Sequence, residues 1–279
     1  MNVLITGARG MLAQAVNRVA TEHGHATTGL PRTLLDVTNE AAVRSLLSAC
    51  KPDVVIQCAG YTRVDQAETE RSAAFSVNAT GAGYVARACA EIGAAVVYPS
   101  TDYVFSGRAA QPYTPHDAVA PVNVYGASKA AGEVVVRGAP RHYVVRTSWL
   151  YGAGGPNFVT TILQRARSGE PLRVVNDQRG CPTWTRDLAR TILLLLELRA
   201  PAGTYHACNQ GEATWYQLAC ASLQLAGVNV PVTAINTEAA GRSARRPGYS
   251  VLDCSGTERI VGPLRPWRDA LADALLEGI

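Results

Sequence analysis

The sequence predicts an α/β protein built on a doubly wound parallel sheet, followed by a smaller mixed lobe. Short apolar runs alternate with amphipathic stretches of helical period as far as Ser148, and the first run ends in a glycine turn that opens a helix. Past Gly152 the alternation loosens, which places a second domain there.

The elements follow in order. Residues 2–6 read as a buried strand, and Gly7-Ala8-Arg9-Gly10-Met11-Leu12-Ala13 turns into a helix running to about Glu22. Gly7 permits the tight turn, and Gly10 lets backbone approach a pyrophosphate at the helix N-terminus. This is a Rossmann-like, dinucleotide-binding arrangement, with Ala13 in place of a third glycine. His25 to Gly29 reads as the second strand. Its end carries Gly29-Leu30-Pro31-Arg32, with no acid before Asp36, where an NAD site usually places one. Arg32, together with Arg9, suits a 2′-phosphate, so NADPH is expected and NADH is the alternative.

A helix is expected at Glu40–Cys50 and a strand at Asp53–Cys58, whose small end Ala59-Gly60 lets a cofactor cross. Helical periodicity then runs from Asp65 to Phe75 and past Asn78 to Glu91. Asn78 is a poor helix former there. Ala94–Tyr98 reads as a strand ending in Ser100-Thr101, at the edge where open α/β sheets bind ligands. Asn123–Arg137 reads as a helix carrying Tyr125 and Lys129 one turn apart on one face. An ammonium beside a phenol favours the ionised form, so Lys129 is expected to lower the Tyr125 pKa. His142–Ser148 is a further strand.

Beyond it come a helix (Asn157–Arg167), a strand (Leu172–Val175), the polar loop 176–183, an apolar helix (Asp187–Leu198) and a strand (Thr204–Cys208). A helix at Trp215–Leu225, the loop Arg242–Ser250 and a last helix around Arg265–Leu276 complete the chain. Residues 1–149 thus form the dinucleotide domain, to which a segment at about 184–208 returns. Residues 150–183 and 209–279 form the substrate domain.

Composition excludes other classes. The net charge of +4 is modest and no dense Lys/Arg tract occurs, so nucleic acid is not an expected partner. The seven cysteines are odd in number and form no CxxC pair, which suits a reduced, cytoplasmic setting. The scattered histidines offer no metal site. Met1-Asn2 leads directly into strand, so no signal peptide is expected, and the apolar run Thr191–Leu198 is too short to span a bilayer.

Gly7-x-x-Gly10, the hydroxyl strand end at 100–101 and Tyr125-x-x-x-Lys129 together resemble the extended short-chain dehydrogenase/reductase superfamily. Ser-Thr-Asp-Tyr-Val-Phe (100–105), Asn-Val-Tyr-Gly-x-x-Lys (123–129), Arg-Thr-Ser-Trp-x-Tyr (146–151) and Asn-Asp-Gln-x-Gly-x-Pro-Thr (176–183) resemble, more narrowly, the dTDP-4-dehydrorhamnose reductase family. The similarity extends through Arg246-Pro247-Gly248.

The resemblance implies hydride transfer from NAD(P)H to the C4 ketone of a nucleotide-linked 4-keto-6-deoxy sugar, as in formation of dTDP-L-rhamnose or a dihydrostreptose-type sugar. It makes Tyr125 the general acid, Lys129 its partner and a ligand of the nicotinamide ribose, and Thr101 the donor to the developing alkoxide. Gly7, Gly10, Met11, Leu12, Ala59, Gly60 and Tyr61 would cradle the cofactor, with Arg32, Asp36 and Val37 after the second strand and Asn78 positioning the lysine. Asp102, Tyr103, Trp149, Asn176, Gln178 and Thr183 would meet the substrate, and Arg246 its diphosphate. A monomer or homodimer is expected, and a bridging Mg2+ is compatible with the sequence without being specified by it.

Two rival readings stand beside this one. One is a sugar-nucleotide dehydratase or epimerase of the superfamily; dehydratases need an acid/base pair after the threonine, commonly Asp-Glu, but here Thr101 is followed by Asp102 and Tyr103, so half of the pair is missing. A non-catalytic NADP-binding subunit, similar to the β subunit of methionine adenosyltransferase, would share the fold without needing the Thr101/Tyr125/Lys129 set.

Overall fold

In the computed structural model, which describes residues 1–279, the first strand β1 (Asn2–Thr6) has four successive buried residues. That pattern belongs to a strand covered on both faces. Strands β2 (Ala26–Leu30), β3 (Val54–Gln57), β4 (Ala95–Thr101) and β5 (His142–Thr147) join it, with Gly203–His206 at the far edge. Every pairing is parallel, in the order Gly203–His206, β5, β4, β3, β1, β2. The expected doubly wound sheet is borne out. Its order reverses between β1 and β3, so the ligand crevice of such a sheet opens there, beyond the carboxyl ends.

Two apolar cores cover the two faces. One seats Val3, Ile5, Val54 and Ile56 against helices Met11–Glu22 and Thr185–Glu197, and the other seats Leu4, Val55 and Val96 against Glu40–Cys50 and Gly81–Ile92. A third core lies apart from the sheet, with Val159, Leu163, Leu218, Ala270 and Leu271 at its centre. Three two-stranded ladders flank it: Leu172–Val175 with Val232–Ile235, Arg179–Gly180 with Ala213–Thr214, and Leu150–Tyr151 with Thr183–Trp184.

The helix expected over Asp65–Phe75 is two short ones, Val64–Ala67 and Arg71–Phe75. The chain then winds as a π-helix over Ser76–Thr80, with Asn78 at its middle. The widened turn is where Asn78 leaves the helical pattern to bond elsewhere. No helix is long and apolar enough to cross a membrane.

Candidate active site

Gly7 ends β1 at φ +64, and a Cβ there would lie 2.6 Å from the Ala59 backbone nitrogen at the end of β3. Only glycine supplies both the left-handed turn and that approach. The next helix starts at Gly10 with no side-chain cap, so its first N–H groups are open to an anion. Leu12 contributes only backbone here because its side chain is in the core, and Met11 reaches toward the 155–157 loop, where Asn157 Nδ2 contacts its sulfur. Val37 is likewise a core residue.

At the end of β2, Arg32 is 81% exposed and pairs with Asp36 at 3.1 Å. The Thr38 hydroxyl and backbone N–H hold Asp36 below the usual carboxylate range, with Arg32 adding to the effect. Arg32 shares a cavity with Gly60, Tyr61, Arg63 and Val77, so its companion cation there is Arg63, while Arg9, expected from the sequence, does not line that cavity.

Asn78 is the fastener of this region. Its Oδ1 accepts from the Tyr61 N–H (2.8 Å), and its Nδ2 donates to Tyr61 O and to Ser128 Oγ (both 2.9 Å). It therefore acts on the residue before Lys129, not on Lys129 itself. Gly132 lets helix Val124–Val136 come this close, since a Cβ there would meet Asn78 O at 2.1 Å.

Thr101 ends β4 opposite Thr147 of β5. Its hydroxyl donates to Asp102 Oδ1 (2.9 Å) and accepts from the Tyr103 N–H (3.1 Å). A hydroxyl has one proton, so donation to an alkoxide requires it to turn away from Asp102. Asp102 is 2% exposed and also accepts from Ser250 Oγ at 2.6 Å. It stands behind Thr101, tethering the Arg242–Ser250 loop, rather than in the cleft. Burial raises its carboxyl to about 7 against the Ser250 and Thr101 hydrogen bonds.

Tyr125, on the first turn of its helix, packs edge-on against Tyr103 with ring centres 5.9 Å apart. Burial pushes its phenol up to about 12, with the Thr101 hydroxyl opposing and the Asp102 charge adding. Lys129 is 6% exposed; its Nζ donates to Pro99 O at 2.6 Å and lies 3.8 Å from the Tyr98 ring centre. The expected lowering of the phenol by Lys129 is therefore corrected. The ammonium is turned to β4, and desolvation dominates the phenol, leaving Tyr125 protonated at neutral pH, which is the form a general acid needs. Burial brings Lys129 itself down to about 7, with Glu133 and Cys58 acting in the opposite sense.

Beyond Tyr103 a cleft of about 490 Å³ opens, lined by Phe158, Gln178, Trp215, Thr237 and the arginines 165, 173, 242 and 246. Gln178 is held there by Thr237 (2.9 Å) and by the Trp215 indole N–H (3.1 Å). Trp149 adopts φ +48, rare for a bulky residue, and stacks on Trp215 at 3.7 Å. Arg246 forks onto Asp65 with bonds of 2.8 and 2.7 Å, holding that carboxyl well below its usual range.

Besides Asp102, two further residues expected in the cleft lie elsewhere. Asn176 accepts from Thr214 Oγ1 at 2.7 Å, joining its loop to a helix cap, and Thr183 is buried with its hydroxyl on Cys181 O. Phe158, Trp215 and Arg173 were not found by sequence reading, because no local pattern marks them. No group of three or more His, Cys, Asp or Glu side chains is arranged to hold a metal ion, so nothing here supports Mg2+.

A parallel dinucleotide-type sheet with threonine, tyrosine and lysine at one carboxyl corner defines an extended short-chain dehydrogenase/reductase. The RmlD substrate binding domain model matches residues 1–278. A Streptomyces griseus protein named dTDP-4-dehydrorhamnose reductase is 44% identical over 97% of this chain and 92% of its own length. The Bacillus subtilis spore coat polysaccharide biosynthesis protein SpsK is 39% identical over 99% of this chain and 97% of its own. Among solved structures, dTDP-4-dehydrorhamnose reductase from Bacillus anthracis in complex with NADP superposes with a TM-score of 0.95 at 38% identity, covering 99% of each chain. The chain belongs to the dTDP-4-dehydrorhamnose reductase family.

Proposed function

We propose that this protein is an NAD(P)H-dependent reductase of the C4 ketone of a nucleotide-linked 4-keto-6-deoxy sugar, with dTDP as the nucleotide. The observation that carries it is Tyr103, which packs on Tyr125 and bonds Thr101 in the corner and also lines a cleft holding four arginines and Trp215. A diphosphate needs cations and a sugar nucleotide needs flat apolar surface; this cleft offers both.

Residues 1–149, with 184–208, serve the cofactor, and 150–183 with 209–279 serve the sugar nucleotide. Gly7, Gly10 and the open helix N-terminus suit a pyrophosphate, and Arg32 with Arg63 suits a 2′-phosphate, which favours NADPH. The cofactor supplies the hydride. Tyr125 then delivers its proton to the oxygen that the hydride leaves charged, and the Thr101 hydroxyl turns from Asp102 to bond the same oxygen. Lys129 orients the nicotinamide ribose. Arg246 exchanges the Asp65 carboxylate for the diphosphate, Gln178 bonds the sugar nucleotide, and Trp149 backs Trp215 as its platform.

The test is NADPH oxidation followed at 340 nm on the order of minutes with dTDP-4-keto-6-deoxy sugars, with NADH in parallel. Sugar-dependent oxidation with a higher kcat/KM for NADPH is expected. Oxidation that no 4-keto sugar stimulates overturns the reading.

A further inference from the structure

Lys129 acts as a cation in the site described above, yet it is one of the most enclosed charged groups in the protein. The elements packed around its ammonium present few charges. β4 offers the Tyr98 ring and the Pro99 carbonyl, the end of β3 offers the Cys58 thiol, and its own helix offers Tyr125 and Glu133. Cys58 is raised to about 12 by burial, Tyr98 is raised by burial as well, and Tyr125 is at about 12, so all three are neutral near pH 8. Glu133 is the remaining charge.

Glu133 is 1% exposed and lies one helical turn beyond Lys129. Its carboxylate accepts from Ser100 Oγ at 2.6 Å, from Arg146 Nε and Nη2 at 2.9 and 2.7 Å, and from Arg137 Nη2 at 2.8 Å. Ser100 directly precedes Thr101 and pairs in register with Arg146 of β5. Arg146 is 2% exposed, donates to Pro115 O at 3.3 Å, faces His206 Nε2 at 3.4 Å and lies over Phe105. One carboxylate therefore ties the strand that carries Thr101 to the helix that carries Tyr125 and Lys129. Burial alone would raise Glu133, but the Arg146 hydrogen bonds and charge, then Ser100 and Arg137, hold it below its usual value and keep it ionised.

We propose that Glu133, balanced by Arg146 and Arg137, is a positioning residue that keeps Lys129 charged and fixes Ser100-Thr101 against the Tyr125 helix. A carboxylate that merely neutralised Arg146 would leave Lys129 indifferent to either arginine. A carboxylate that also serves Lys129 must stay ionised, which Arg146 ensures, and it is weakened in that service by the second arginine it binds. Removing Glu133 or Arg146 then lowers the Lys129 titration, and removing Arg137 while Arg146 still holds the carboxylate raises it.

The proposal rests on the reading of Lys129 as a cationic participant, and the experiment separates the two. The pH dependence of kcat is measured for wild type, Glu133→Gln, Arg146→Met, Arg137→Met and Lys129→Met, each checked for folding by circular dichroism. His206, lowered to about 4, is silent in the alkaline range. Asp102 titrates near 7 beside Thr101, so the profiles are repeated with Asp102→Asn.

The alkaline limb moves down by roughly one pH unit in Glu133→Gln and in Arg146→Met, where burial protonates the carboxyl that Arg146 no longer holds. Arg137 is 38% exposed, so Arg137→Met folds even if the buried variants do not, and its limb moves up by roughly 0.3 unit. Wild-type kcat in Lys129→Met overturns the role of Lys129. A damaged Lys129→Met with limbs that coincide in wild type and Arg137→Met, or that move the same way in every variant, overturns the role of Glu133.

Discussion

Thr101, Tyr125 and Lys129 come from one strand and one helix, and the groups behind them are buried and bonded in fixed pairs. Arg246, Gln178, Trp215 and Arg173 come instead from loops, a helix start and a two-stranded ladder around a separate core. In the first region Thr101 is held by the next two residues, Asp102 and Tyr103, and by β4–β5 register. In the second, Gln178 and Arg246 are held by partners far along the chain, Thr237 at 59 residues and Asp65 at 181. On the function proposed above, the corner serves constancy of chemistry and the cleft exchange: Asp65 now occupies the Arg246 fork.

This contrast has measurable consequences. In the corner, Thr101→Val lowers kcat by roughly tenfold to a thousandfold with a small change in sugar KM, because the lost donor acts on the alkoxide. Steady-state kinetics check it, and an effect confined to KM would move Thr101 into the cleft.

Behind the corner, rigidity has a pH signature. His206 is fully buried with Nδ1 unpartnered, and burial, then the Arg146 charge, lowers it from 6.5 to about 4. A histidine kept neutral by the fold stabilises above its unfolded value. That stability is lost as pH falls from 6.5 toward 4, by roughly 3 kcal/mol in all. Chemical denaturation of His206→Asn between pH 7 and pH 4 should show a correspondingly flatter profile; equal slopes would contradict the assignment.

The cleft gives the smallest effect. Arg246→Ala raises the sugar-nucleotide KM by about tenfold and leaves kcat within about threefold, since the diphosphate contact is the same in ground and transition states. A large loss of kcat at unchanged KM would place Arg246 with the corner instead.

The same contrast decides what was legible in the sequence. Gly7 and Gly10 after a strand, and Tyr125 and Lys129 four residues apart, are local patterns whose period already fixes their geometry. The sheet and its corner could be read from them. Asn176, Gln178 and Thr183 share one loop motif, but a loop has no period to say which side chain faces the cleft. Only Gln178 does, because Thr237 and Trp215 hold it there. Trp215, Phe158, Arg173 and Arg63 carry no local signal at all. The effect of Lys129 on Tyr125 was misjudged for a related reason: spacing shows that two groups are near, while burial and the Pro99 carbonyl decide what each one feels.

The central claim is that Tyr125 is the proton donor for a ketone held between the corner and the cleft. It is tested most directly by sugar-dependent NADPH oxidation in wild type and Tyr125→Phe at matched folding. The account predicts a kcat lower by roughly tenfold to a thousandfold in Tyr125→Phe, with NADPH still bound. Equal sugar-dependent rates in the two proteins would contradict it.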